Sequence, residues 1–258
     1  MVKDKDTLEL TMGAKNVEQD RSWFEAWANL YPSPKMESPW NFLKNDSEAL
    51  PLYLRHAEEG VFPTFDAQEK IAYFQITSFW QNCPDSKGKV KEFHKMLKTK
   101  REYDVVIDLR FYTGGDYSVV MQLATKPSKL INADRKIFLV LSNTTYSAGI
   151  VTAARIKQYA QDKLVVVGEA VGDRLKFWAE RQVVTLPHLK IRIYNAQKEH
   201  DWAHNKRSLF RTHLPNFLYG VVAKDLDIDQ EIQLRFDTYM KNSDPVWEWI
   251  TGPSEDPK

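Results

Sequence analysis

Residues 137–160 read IFLVLSNTTYSAGIVTAARIKQYA, and two hydrophobic periods meet inside this stretch. Ile137, Phe138, Leu139, Val140 and Leu141 form an unbroken apolar run, the pattern of a strand buried on both faces. Ser142, Asn143, Thr144 and Thr145 end it with hydroxyl and amide side chains that favour a turn or a helix cap. From Ser147 onward, Ile150, Val151, Ala154 and Ile156 recur at helical spacing. The order is strand, polar turn, helix, with Ser147 at the junction. A hydroxyl placed there lies near the free N–H groups of a helix start, whose positive dipole end suits a developing oxyanion. Two readings of Ser147 stay open on this stretch alone. It is a nucleophile, or it is a helix N-cap like its neighbours Thr144 and Thr145.

Working outward, regular structure starts at residue 71. Ile71 to Ile76, Val105 to Leu109 and Leu164 to Val167 read as further buried strands, and 90–100 and 117–124 as helices between them. Strands alternating with helices imply right-handed crossovers and a largely parallel α/β sheet, in which chemistry collects at the carboxyl ends of strands. Two polar turns fall at such ends, 110–116 and 142–147. The first belongs to DLRFYTGGD at 108–116, where Gly114 and Gly115 allow a sharp turn and bare amides; alternatively they serve only as a loop. Asp108 and Arg110 lie two apart on a strand, on one side, which permits a structural salt bridge. Beyond 174, residues 182–186 and 190–194 read as a hairpin, 227–236 as a strand, and DPVWEWI at 244–250 as a closing helix with proline in its first turn. The hairpin edge suits uptake of a peptide by strand addition or an oligomer seam.

Charge and cysteine content narrow the classes. Lys and Arg number 36 against 35 Asp and Glu, so no global field steers nucleic acid or an anionic membrane to the chain. The single cysteine, Cys83, excludes an internal disulfide and a cysteine-rich metal site. No apolar run approaches membrane-spanning length and residues 1–30 lack a secretory pattern, so no membrane insertion is expected and the compartment stays open. Residues 1–70 are irregular and aromatic-rich, an N-terminal clasp or the remnant of an upstream module; 7–12 alternates as a strand and 22–27 opens a short helix. Residues 71–250 form the core, and 251–258 a frayed tail.

Taken together, IAYFQITSF (71–79), VVIDLRFYTGGD (105–116), TTYSAGIVTAA (144–154), VVVGEAVGDR (165–174), LP (186–187) and DPVWEWI (244–250) resemble the tail-specific, or C-terminal-processing, serine peptidases. The nearer resemblance is to their branch related to the tricorn core and the interphotoreceptor retinoid-binding repeats. It implies a Clp-protease and crotonase-like core of stacked strand-strand-helix units, a peptide or unfolded protein as substrate, and no cofactor. Relatives are often periplasmic or extracellular, and a homo-oligomer is open. It also implies that Ser147 matches the nucleophile and that the amides of Gly115 and Ala148 match the oxyanion hole, with Gly114 beside them.

The general base departs from that pattern. Lysine-dependent members carry a lysine in the turn after the GE strand, where this chain has Arg174. A guanidinium stays protonated and cannot accept the serine proton. Lys176, two residues on, shares a face with Arg174 if the segment is extended, and burial beside another cation would lower its pKa as a base requires. His188, His200, His204 and His213 offer a second route; His200 and His204 are four apart, but nothing in the pattern supplies a third ligand, so no metal is expected. Tyr112 stands where relatives commonly have asparagine, and Asp173 where a small residue is usual. Both put bulk or charge near the cleft, making Tyr112, Gly114 and Arg174 the candidate substrate-facing residues. Two function classes follow: an active endopeptidase, or a catalytically silent relative binding a peptide or apolar ligand in the same cleft.

Overall fold

In the computed structural model, which describes residues 50–56, 59–77, 85–117, 121–189, 191–204, 212 and 214–252, the apolar runs become strands of one six-stranded sheet. All these residues belong to the unit Glu48–Lys258. The expected strand at 7–12, the helix at 22–27, Cys83, His213 and residues 253–258 lie outside the described residues.

The sheet contains β1 (Val61–Asp66), β2 (Ile71–Ile76), β3 (Asp104–Asp108), β4 (Ile137–Leu141), β5 (Leu164–Gly168) and, later in the chain, β8 (Gln230–Glu231), in that spatial order. From β2 to β8 each neighbour is parallel; β1 is the antiparallel edge. A separate antiparallel ribbon pairs β6 (Lys176–Thr185) with β7 (Arg192–Asp201). The helices are α1 (Leu52–Arg55), α2 (Ser86–Thr99), α3 (Met121–Thr125), α4 (Pro127–Leu130), α5 (Ala148–Ala160), α6 (Leu214–Tyr219), α7 (Phe236–Met240) and α8 (Pro245–Thr251). Among the described residues, no helix is long and apolar enough to cross a membrane.

The unbroken apolar runs have a physical cause. Alternate residues point to opposite faces, and both faces are covered. Ala72, Phe74, Ile76, Val105, Ile107, Leu109, Ile137, Leu139 and Leu141 enter a large core with Val90, Phe93 and Leu97 of α2 and with α5. Ile71, Tyr73, Val106, Val140 and Val167 enter a second cluster closed by Val246, Trp247 and Ile250 of α8. Helix α5 is buried from Ala148 through Ile156, so its apolar character is not confined to one stripe.

The structure differs from the sequence reading in three places. The core sheet starts before residue 71: β1 pairs with β2, and the intervening turn is held by Asp66, whose Oδ1 accepts from the amides of Gln68 (2.9 Å) and Glu69 (3.0 Å). A boundary at 70 would cut this hairpin. The strand expected over 227–236 shrinks to Gln230–Glu231, because Asp229 meets the preceding ladder position with its carboxylate, accepting from Val166 N at 2.7 Å. The ribbon is longer than the 182–194 hairpin; near its base Phe177 stacks on His200 at 4.7 Å, and both are buried.

A buried ionic cluster fastens α8 to the sheet. Asp244 caps α8, its Oδ1 accepting from Val246 N (3.1 Å) and Trp247 N (3.2 Å). Both its oxygens also accept from Arg110, at 3.0 and 2.9 Å, while Arg110 binds Asp108 from the other side at 2.8 Å. Tyr73 donates its hydroxyl to Asp108 Oδ2 at 2.8 Å. The Asp108–Arg110 pair expected from spacing is present, with a second carboxylate added. Removing one partner of such a pair leaves a buried charge uncompensated, which costs about 3–5 kcal/mol. We expect Asp244→Ala to lose about that much stability in urea denaturation, with Trp247 exposed early; a loss below about 1 kcal/mol would mean that the cluster contributes little.

Candidate active site

Ser147 immediately precedes α5 with φ 47° and ψ −115°, a backbone conformation that side-chain-bearing residues rarely adopt. Its side chain makes no cap hydrogen bond, and the residue is exposed. Both facts oppose the helix-cap reading, since a capping residue sits in the β region and accepts from an amide of the first turn. Thr144 and Thr145 are not caps either. The Thr144 hydroxyl donates to the carbonyl of Arg110, and that of Thr145 to the carbonyl of Leu109 at 3.0 Å. Ser142 Oγ also donates to Arg110 O. The polar turn is thus tied laterally to the end of β3.

Three strand-end turns converge on Ser147. From the turn after β3, a Cβ added to Gly114 would lie 3.1 Å from Ser147 Cβ, 3.5 Å from its Oγ and 3.9 Å from Ala148 N. Gly114 and Gly115 have φ 141° and 126°, so this close approach uses the freedom only glycine has. Tyr146 N donates to Tyr112 O at 3.1 Å, and a Cβ on Gly149 would strike that same carbonyl at 2.4 Å. From the turn after β5, Gly172 N donates to Thr145 O at 3.2 Å, and a Cβ there would meet the Tyr146 ring at 2.1 Å. Among the described residues, no group hydrogen-bonds to Ser147 Oγ.

The other candidates divide. Ala148 is buried against this junction, and Gly115 lies in the glycine turn. Tyr112 is a correction: its ring is fully buried in the large core, so it neither fills a cleft nor faces a substrate. Arg174 is exposed, its amide held by Asp173 Oδ1 at 2.7 Å. Lys176 does not have the environment expected of a base. Its side chain is 53% exposed and its ammonium contacts Glu199 at 2.6 Å. The hydrogen bond and charge of Glu199 push its pKa up, opposite to what proton acceptance near neutrality requires. The cause is register: Lys176 and Glu199 lie on the same ribbon face, two ladder positions apart.

Among the described residues no histidine hydrogen-bonds to Ser147. His200 is buried in the ribbon base, with Nδ1 3.3 Å from Trp202 Nε1 and Nε2 3.4 Å from Glu180 Oε1. His204 is exposed beside Asp201 at 3.6 Å, and His188 lies exposed in the ribbon turn. Among the described residues, no three His, Cys, Asp or Glu side chains gather as a metal site. Sequence reasoning missed Asp244 as the partner of Arg110. Its signal was the Asp-Pro pair that opens a helix, though not which residue it would meet.

No family model matches the chain, and no curated protein does. Among solved structures it is similar to a candidate peptidase from Parabacteroides merdae, at 15% identity and a TM-score of 0.47 over 74% of this chain and 62% of that one. It is similar also to a candidate protease from Bacteroides fragilis, at 12% identity and TM-score 0.41, covering 70% of this chain and 51% of that one. The photosystem II D1 C-terminal processing protease follows at 13% and 0.39, covering 67% and 48%. The chain therefore spans about half to three-fifths of the length of these structures.

The backbone of Ser147 yields a stability test. Holding a side-chain-bearing residue in such a conformation costs about 1–3 kcal/mol, and glycine's extra unfolded-state entropy costs about 0.4–1. Ser147→Gly should therefore be more stable than Ser147→Ala by about 1 kcal/mol in chemical denaturation. A Ser147→Gly variant less stable than Ser147→Ala by about 0.4–1 kcal/mol, glycine's entropy cost alone, would show that the position carries no strain.

Proposed function

We propose that this chain is a serine-nucleophile hydrolase of peptide bonds, of the tail-specific type, built on a Clp-protease and crotonase-like core. One observation carries the reading: an exposed serine held at positive φ at a strand-to-helix junction, making no cap bond and touching a glycine turn. Such strained junctions present a hydroxyl clear of its own backbone and beside free amides. In this reading Ser147 Oγ attacks the carbonyl carbon of a peptide or unfolded protein tail. The carbonyl oxygen takes the electron pair, and the amides of Gly115 and Ala148, with Gly114 beside them, hold the oxyanion. The hydroxyl proton passes to a base and from it to the leaving amine as the tetrahedral intermediate collapses and the C–N bond breaks; water later releases the acyl group by the same route.

The proton acceptor is the weaker half of this assignment. Lys176 would first have to leave Glu199, and Arg174 cannot accept a proton at all. That observation favours a second reading, a catalytically silent relative that holds a peptide in the same cleft.

A fluorophosphonate probe read by intact mass separates the two. We expect one adduct on the folded wild-type chain, none on Ser147→Ala, and a labelling rate changed less than about twofold by Lys176→Ala, since a lysine with a raised pKa contributes little base near neutrality. A drop of about tenfold or more in Lys176→Ala would restore that lysine as the base. No adduct on a folded wild-type chain would leave the silent reading.

A further inference from the structure

The chain's near-neutral charge hides a local imbalance on the outer side of α2. A groove of about 810 Å³ runs between α2 and the α3–α4 segment, within the size range of small-molecule sites. Its lining includes Lys91, Lys95, Lys98, Lys126 and Lys129, with Glu92 the one carboxylate among the described lining residues. Spacings of four and three place Lys91, Lys95 and Lys98 on one stripe of α2, where like charges repel. Among the described residues no carboxylate pairs with these three or with Lys129, and Lys126 donates to the neutral amide of Gln122 at 2.9 Å.

His94 is the second, independent observation. It belongs to the same lining and is only 4% exposed, yet neither ring nitrogen has a hydrogen-bond partner among the described residues. An unsatisfied buried imidazole costs free energy that a ligand would recover. Burial, with Lys126 and Lys98 nearby, lowers its pKa to about 4, so the ring is neutral and offers one N–H and one acceptor nitrogen.

We propose that this groove binds a small polyphosphate anion, with Lys95, Lys98 and Lys126 as cationic contacts and His94 as a hydrogen-bond partner. The length fits: Lys91 to Lys98 spans about 10 Å of helix, more than one phosphate covers and near what a few linked phosphates reach. Lysines on both walls of the groove suit a compact, highly charged anion better than an uncharged ligand. The proposal is independent of Ser147 and of any hydrolytic activity.

Calorimetric titration of the full chain with inorganic tripolyphosphate, at about 0.15 M ionic strength to screen loose surface binding, tests it. One saturable site is expected, weakened about tenfold or more in Lys95→Gln/Lys126→Gln, since hydrogen bonds to charged groups are among the stronger ones. It should be changed less than about twofold in the charge-matched control Lys224→Gln/Lys241→Gln, whose lysines are exposed elsewhere. On the wild-type chain, the His94 ring resonances should titrate about one pH unit higher with tripolyphosphate bound, because the anion offsets the lysine field. Equal weakening in both double variants, binding without saturation, or an unmoved His94 midpoint would overturn the proposal. Displacement of tripolyphosphate from the groove by a tighter-binding acidic peptide or oligonucleotide would overturn the small-anion assignment.

Discussion

Arg110 is 4% exposed, and two distant parts of the chain meet on it. Burial works against its charge, but Asp108 and Asp244 outweigh that and hold its pKa well above the ordinary value. One cation between two carboxylates leaves a net negative cluster, which would be costly if nothing else shared the charge. Here the rest is spread over N–H and O–H donors. Arg110 N donates to Asp108 at 3.0 Å, Tyr73 OH to the same carboxylate, and the first amides of α8 to Asp244. The positive end of that helix adds to the compensation. The guanidinium also lies 4.3 Å from the centre of the Tyr53 ring, a cation–π contact added to its hydrogen bonds with the carboxylates.

The same residue holds the 142–147 turn through its backbone. While the Arg110 side chain faces α8, its carbonyl accepts from the hydroxyls of Ser142 and Thr144. Thr145 reaches the neighbouring Leu109 carbonyl, and Tyr146 N the carbonyl of Tyr112. A strained residue persists only when its surroundings over-determine it. At Ser147 the restraint comes from the end of β3 on one side and from Gly172, after β5, on the other. The strain is local, but the bonds that sustain it trace back to a helix that starts at residue 245.

Much of this was legible in the sequence, and for a clear reason. The runs at 71–76, 105–109, 137–141 and 164–167 owe their character to burial on both faces, so composition alone marks them as strands of a covered parallel sheet. The Asp108–Arg110 pair was legible because two residues on a strand share a side. What stayed hidden depends on contacts distant in sequence or on side-chain direction. Asp244 is 134 residues from Arg110, and no local pattern names that partner. Tyr112 belongs to a turn, where neither strand nor helix period tells which way a ring points; it turned inward. The Lys176–Glu199 contact follows from ribbon register, and hydrophobic alternation fixed that register only at the outer hairpin, not at its base.

Net charge is a sum, and a sum can conceal where charges are already committed. The balance of 36 against 35 suggests a chain without electrostatic preference, yet the carboxylates of Asp108 and Asp244 are consumed by one buried arginine. Lys176 is likewise neutralised by Glu199, and Lys157 by Asp225. Lys91, Lys95 and Lys98 of α2 have no such partners among the described residues, and the imidazole of His94 among them is forced neutral instead of adding a further positive charge. A helix that only needed solubility would intersperse both signs along its exposed stripe, since opposite charges three or four apart stabilise it and like charges do not. The stripe of α2 therefore sacrifices some helix stability, and a bound anion would restore it.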